Sequence, residues 1–133
     1  MKRILVAYDG GKAARHALET AIELAKAFDA SISVISVVPF RPGRSPVDPW
    51  DDEAMHTAEL LEARSILAQH GLSADLYEPA GHPALVIERV IEERGFDTVV
   101  LGSRGLGPLS RILEGSVSEH VATHTDATVV IAR

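Results

Sequence analysis

The run Asp97–Thr123, DTVVLGSRGLGPLSRILEGSVSEHVAT, decides how the chain is read. It opens on a short apolar stretch, Thr98–Leu101, that ends in a glycine, the pattern of a buried strand passing into a loop. Gly102, Gly105, Gly107 and Gly115 follow, with Ser103, Arg104, Ser110, Ser116 and Ser118 among them, and a helix is expected from about Ser116 to His124. Strand, glycine-rich loop and helix N-terminus make an anion site. Glycines let backbone approach a ligand, and the N–H groups opening a helix are unsatisfied donors at the positive end of its dipole. The segment is therefore expected to surround the phosphates of a nucleotide. A plain strand-to-helix connection would also carry glycines, and Gly107–Pro108 is a turn signal whatever the function.

Outward from this run, apolar stretches alternate with helical ones. Ile4–Tyr8 is a short apolar run bounded by Asp9–Gly10–Gly11, as expected of a buried parallel strand. Lys12–Phe28 places Ala13, Ala17, Leu18, Ala21, Leu24, Ala25 and Phe28 at three- and four-residue spacing, one helix face. Ser31–Val38 is a β-branched, alternating strand stopped by Pro39. Arg41–Pro49 is proline-rich and reads as a loop. Trp50 then starts a helix ending at Gly71, with Ala54, Ala58, Leu61, Ser65 and Ala68 as its apolar face. Leu72–Pro79 is a third strand. A helix carrying Leu85, Val86, Val90 and Ile91 follows, and Ala127–Ala132 is the last strand.

This alternation predicts an α/β fold: an open five-stranded parallel sheet, strand order 3-2-1-4-5, with helices on both faces, Rossmann-like, in a single domain over 1–133. Aromatics are only 5% of the chain, so the core is aliphatic, as suits helices packed on such a sheet. With no cysteine, disulfides, thiolate metal sites and a cysteine nucleophile are excluded. The formal net charge of −6 argues against nucleic-acid binding, because no basic stripe is available to displace phosphate counterions. No apolar run approaches the ~20 residues of a membrane span. Asp9 breaks the apolar run after Met1–Lys2–Arg3, so no signal peptide is expected, and the expected location is cytoplasmic.

Sheets of this kind bind ligands at the carboxyl ends of their strands, where strand order reverses. In order 3-2-1-4-5 that point lies between strands one and four. Asp9–Gly10–Gly11 ends the first and Gly102–Ser103–Arg104–Gly105 the second. A carboxylate at Asp9 can bond a ribose hydroxyl or an adenine amino group while amides of the second loop take phosphates. Asp9 is also a suitable residue to cap the first helix. Neither a lysine-bearing phosphate loop nor a G-x-G-x-x-G after strand one is present.

The strand ending AYDGG, the VVP closing strand two, the entry GHPALVI to the third helix and, above all, GSRGLGPLSRILEGSVSEHV resemble the universal stress protein family, over essentially the whole chain. In that family the spacing G-x2-G-x9-G-[ST] marks the ATP-binding branch, and here it is complete as Gly102, Gly105, Gly115 and Ser116. The resemblance implies that Asp9 and the backbone of Val37 hold the adenosine. It implies that Gly102, Arg104, Gly105, Gly115, Ser116, Val117 and Ser118 surround ribose and phosphates. It further implies ATP, with Mg²⁺ as its counter-ion, and a homodimer paired through Ala127–Ala132. The function implied is a nucleotide-dependent stress-response sensor or signalling module. The alternatives are a slow ATPase or phosphotransferase using the same site, and a nucleotide-free dimeric interaction protein. Two positions depart from the family: Gly11 stands where a hydroxyl residue is common, and His82 where Asp is common.

No Ser–His–Asp spacing suggests a catalytic centre. His120 and His124 share one helix face at i and i+4, but no third ligand is evident, so no metal site is expected. Gly102→Ala is expected to crowd the phosphates with stability little changed.

Overall fold

The computed structural model describes residues 1–39, 49–102 and 114–133. The expected loop at Arg41–Pro49 therefore lies, up to residue 48, outside the described residues. Strand β1 (Arg3–Ala7) is central: it pairs in parallel with β2 (Ser31–Ile35) on one side and β6 (Thr98–Gly102) on the other. Beyond them lie β4 (Ala74–Tyr77) and β7 (Thr128–Ala132), giving the order β4-β2-β1-β6-β7, the order expected from the sequence.

Both faces of β1 are covered. Ile4 and Val6 point into a cluster with Ala17, Leu18 and Ala21 of α1 (Lys12–Phe28) and Leu60, Ala63 and Leu67 of α2 (Pro49–Gln69). Leu5 points the other way, among Ala84, Ile87 and Ile91 of α3 (Pro83–Arg94) and Val121 of α4 (Glu114–His124). Alternating side chains of one strand thus enter two cores, which is why the run is apolar throughout.

Three expectations are corrected. Ser31–Val38 is not one strand. The chain leaves the main sheet at Ser36, and Val38–Pro39 (β3) forms a separate two-residue ladder with Ala80–Gly81 (β5). Ser36 N–H still donates to Tyr77 O at 3.0 Å, and Val38 N–H to Pro79 O at 2.8 Å. Pro79 has no N–H to return, so the main ladder cannot continue in register and both strands bend away together. The face expected for α2 is also wrong: Ala58, Leu61, Ser65 and Ala68 are exposed, while His56, Leu60, Ala63 and Leu67 are buried. Apolar residues lie on several sides of this helix, so spacing alone did not select one. Phe28, assigned to the face of α1, is 56% exposed, because the helix ends there and Asp29 turns the chain in the left-handed region, φ 51°. Leu85 of α3 is likewise exposed.

The amino edge of the sheet is tied by Asp97. Its carboxylate accepts Lys2 N–H at 2.8 Å, Arg3 N–H at 3.0 Å and the Thr98 hydroxyl at 2.8 Å. Partial burial pushes this carboxyl up, but the Thr98, Lys2 and Arg3 hydrogen bonds outweigh it and hold it below the usual carboxylate range.

Candidate functional site

At the opposite edge the carboxyl ends of all five parallel strands come together. Because β1 has β2 on one side and β6 on the other, the connections leaving β1 and β6 diverge and open a crevice. Asp9 follows β1, Val37 follows β2, and Gly102 ends β6. These three expected site residues are brought to one edge. Gly115, Ser116, Val117 and Ser118 fall in the opening turns of α4. Since α4 joins two parallel neighbours, β6 and β7, it runs back from the carboxyl edge and opens there. Arg104 and Gly105 lie outside the described residues.

Gly102 sits against the start of α1. A Cβ built on it would stand 2.8 Å from the carbonyl oxygen of Ala13, 2.9 Å from its carbonyl carbon and 3.0 Å from its Cβ. The neighbours are mostly backbone, so nothing flexible can yield. This corrects the expectation that Gly102→Ala leaves stability little changed: glycine here lets strand β6 and helix α1 touch, and that contact sets the narrow end of the crevice.

The turn before α1 has its own geometry. Gly10 takes φ +79°, where a side chain is strained, and Gly11 is the N-cap in extended conformation without a side-chain cap bond. Asp9 Oδ1 accepts Gly11 N–H at 2.9 Å, a local turn bond, so one carboxylate oxygen serves the turn. The other makes no hydrogen bond among the described residues. The first turn of α1 contains no acid, which leaves its N–H groups and the positive end of its dipole facing the crevice edge. His82, the family departure, is the exposed N-cap of α3; its carbonyl accepts Val86 N–H at 2.9 Å.

Two polar clusters flank this edge that the sequence reading missed. Tyr8 O–H donates to Glu62 Oε1 at 2.5 Å, and Arg15 Nη2 donates to the same oxygen at 2.6 Å. Burial, then the bond to Glu62, pushes the Tyr8 phenol up to about 12. The bonds from Tyr8 and Arg15 hold the Glu62 carboxyl below its ordinary value. The second cluster joins Ser36 Oγ to His56 Nδ1 at 2.6 Å, with Glu59 Oε2 at 3.0 Å from that same nitrogen. Both contacts use one imidazole nitrogen, so the three do not form a relay in which histidine passes a proton from serine to carboxylate. His56 and Glu59 are one turn apart on α2, but only the fold brings Ser36, just after β2, to them.

A cleft elsewhere, between Tyr77, Pro79 and α3, holds Arg89 and Arg94. Glu78 and Glu93 line it too, and Arg94 lies over the Tyr77 ring at 5.6 Å. On α4, His120 and His124 do face one another, and Glu88 of α3 stands beside them. The expectation of no third ligand near the pair is thus corrected, because α3 and α4 are neighbours in space but about 30 residues apart in sequence. No helix among the described residues is long and apolar enough to cross a membrane.

An open parallel sheet with helices on both faces and turns crowded at one carboxyl edge is a doubly wound α/β protein. The chain belongs to the universal stress protein family, whose family model matches residues 1–133. Universal stress protein YxiE of Bacillus subtilis is 29% identical to it over 98% of this chain and 98% of its own length. A crystal structure of a universal stress protein family member from Burkholderia pseudomallei superposes with a TM-score of 0.76 at 27% identity, covering 98% of this chain and 94% of its own. The universal stress protein from Archaeoglobus fulgidus, solved in complex with dAMP, superposes with a TM-score of 0.78, covering 100% and 98% of the two chains. At 20% identity that likeness is one of fold.

Proposed function

We propose that this chain binds an adenine nucleotide, ATP with Mg²⁺, in the crevice between the ends of β1 and β6, and acts as a nucleotide-dependent stress-response sensor or signalling module. The observation that carries the proposal is the contact of Gly102 with the first turn of α1, at the switch point where the Asp9–Gly11 turn also lies. Asp9 supports it with a carboxylate oxygen free of partners among the described residues. The dAMP complex of the Archaeoglobus fulgidus relative supports an adenine ligand for this fold.

In this reading Asp9 and the Val37 backbone hold the nucleoside. Gly102, Arg104 and Gly105 lie along ribose and phosphate, and the amides of Gly115, Ser116, Val117 and Ser118 close on the phosphates at the start of α4. Mg²⁺ supplies charge neutralisation to the phosphates and needs no protein cage. In this reading the nucleotide is held rather than consumed. The open edge of β7 provides the pairing surface for a cytoplasmic homodimer.

Calorimetry with Mg·ATP tests this on the wild type, Asp9→Asn and Gly115→Val. Asp9→Asn keeps an acceptor for Gly11 N–H and removes the charge, so affinity should fall by about tenfold or more. Gly115→Val should crowd the phosphates and weaken binding further. Unchanged affinity in both, or no binding by the wild type, would overturn the assignment. Labelled phosphate released by the wild type and not by Gly115→Val would instead identify a slow ATPase.

A further inference from the structure

On the face of the sheet covered by α3 and α4, away from α1, three metal-ligating side chains meet. Glu88 comes from α3, and His120 and His124 stand one turn apart on α4. One ligand atom from each lies within 4.8 Å of the other two. Glu88 Oε1 is 2.5 Å from His120 Nδ1. The two imidazoles are stacked, with centroids 4.0 Å apart and planes 12° from parallel. Glu88 is mostly covered, its side chain 17% exposed, whereas His124 is open to solvent.

We infer that Glu88, His120 and His124 bind one divalent transition-metal ion, with Zn²⁺ the best fit, and that the ion ties α3 to the last turn of α4. The donor set is two imidazoles and a carboxylate, which zinc takes with a fourth position left to water. Tetrahedral donors at about 2.0–2.2 Å from zinc stand roughly 3.4 Å apart. Glu88 and His120 therefore need to open by about an ångström, and the exposed His124 ring needs to turn off its stack on His120 so that the two in-plane lone pairs converge on one ion. Nδ1 of His124 lies 2.8 Å from the carbonyl oxygen of His120, which places the proton on Nδ1 and leaves Nε2 bare for a metal. Binding an ion replaces the direct contact of Glu88 with His120 by a bond from each to the metal. Helix α4 ends at His124, where the negative end of its dipole favours a cation.

The site uses none of the residues assigned to the nucleotide. Its test uses the full chain without a histidine tag. Zn²⁺ titrated in competition with a chromogenic chelator should load one equivalent per chain. His124→Ala, at an exposed position that leaves the fold intact, should weaken uptake by about tenfold or more, and so should Glu88→Gln. Excess Zn²⁺ should raise the melting temperature of the wild type by several degrees and leave that of His124→Ala unmoved. Mg²⁺ should do neither. Failure of the wild type to take up Zn²⁺ at micromolar concentrations, or uptake by His124→Ala equal to that of the wild type, would overturn the site and leave a hydrogen-bonded helix pair.

Discussion

Replacing Gly102 by alanine adds one carbon at a point where two elements touch. That carbon would stand 2.8 Å from the Ala13 carbonyl oxygen and 2.9 Å from its carbon. Ordinary carbon–oxygen and carbon–carbon contacts begin near 3.3–3.5 Å, so α1 must withdraw from β6 by roughly 0.5 Å or more at its first turn. The obstructing atoms are chiefly main chain, so no rotamer change relieves the clash. Overpacking of this kind costs about 1–3 kcal/mol. For a chain of this size, ~2 kcal/mol lowers the melting temperature by roughly 6–10 °C. The displaced turn is the one that follows Asp9–Gly11, so nucleotide affinity should fall as well. Urea denaturation followed by circular dichroism measures the first effect, and calorimetry with Mg·ATP the second. A variant that unfolds at the wild-type urea midpoint would refute the packing argument, whatever it does to binding.

Other consequences follow from the same geometry. Leu67 is fully buried and Leu61 is 46% exposed, so Leu67→Ala should cost about 2–5 kcal/mol and Leu61→Ala less than ~0.5 kcal/mol in urea melts, which tests the face α2 presents. The raised Tyr8 phenol lets the unfolded chain ionise first, so its stabilising contribution is whole below about pH 10 and is lost as pH climbs toward about 12. Tyr8→Phe should lack that part of the alkaline decline when the two chains are melted across this range. Asp97 works in the opposite sense: its lowered carboxyl stabilises the fold above the ordinary carboxylate range, and the contribution is lost as pH falls through the folded value. Asp97→Asn should cost about 1–2 kcal/mol at neutral pH and show a shallower acid limb in urea melts.

Much of the architecture was legible because it rests on local signals. Ile4–Tyr8 and Thr98–Leu101 are apolar on both faces, which only a strand covered on both sides requires, and the glycine turns after them mark where each strand ends. Asp9 and Gly102 accordingly fall at the carboxyl edge of the sheet. What stayed hidden depends on tertiary contact. The buried side of α2 was chosen by the sheet, since residues on both sides of the helix fit a helical period. The division of Ser31–Val38 depends on Pro79, a residue of the neighbouring strand that lacks an amide hydrogen. Glu88 joins His120 and His124, and Glu62 joins Tyr8 and Arg15, only because elements distant in sequence pack together. Glycine at position 102 suits the approach of a ligand. The backbone of Ala13 supplies a second, structural cause.

The central claim is that an adenine nucleotide occupies the crevice between β1 and β6. An amide NMR titration of the isotope-labelled chain with Mg·ATP tests it most directly. Saturable shifts are expected at Asp9–Gly11, Val37, Gly102 and Gly115–Ser118. Shifts confined to the Arg89–Arg94 cleft beside Tyr77, or no saturable shift at millimolar nucleotide, would contradict it.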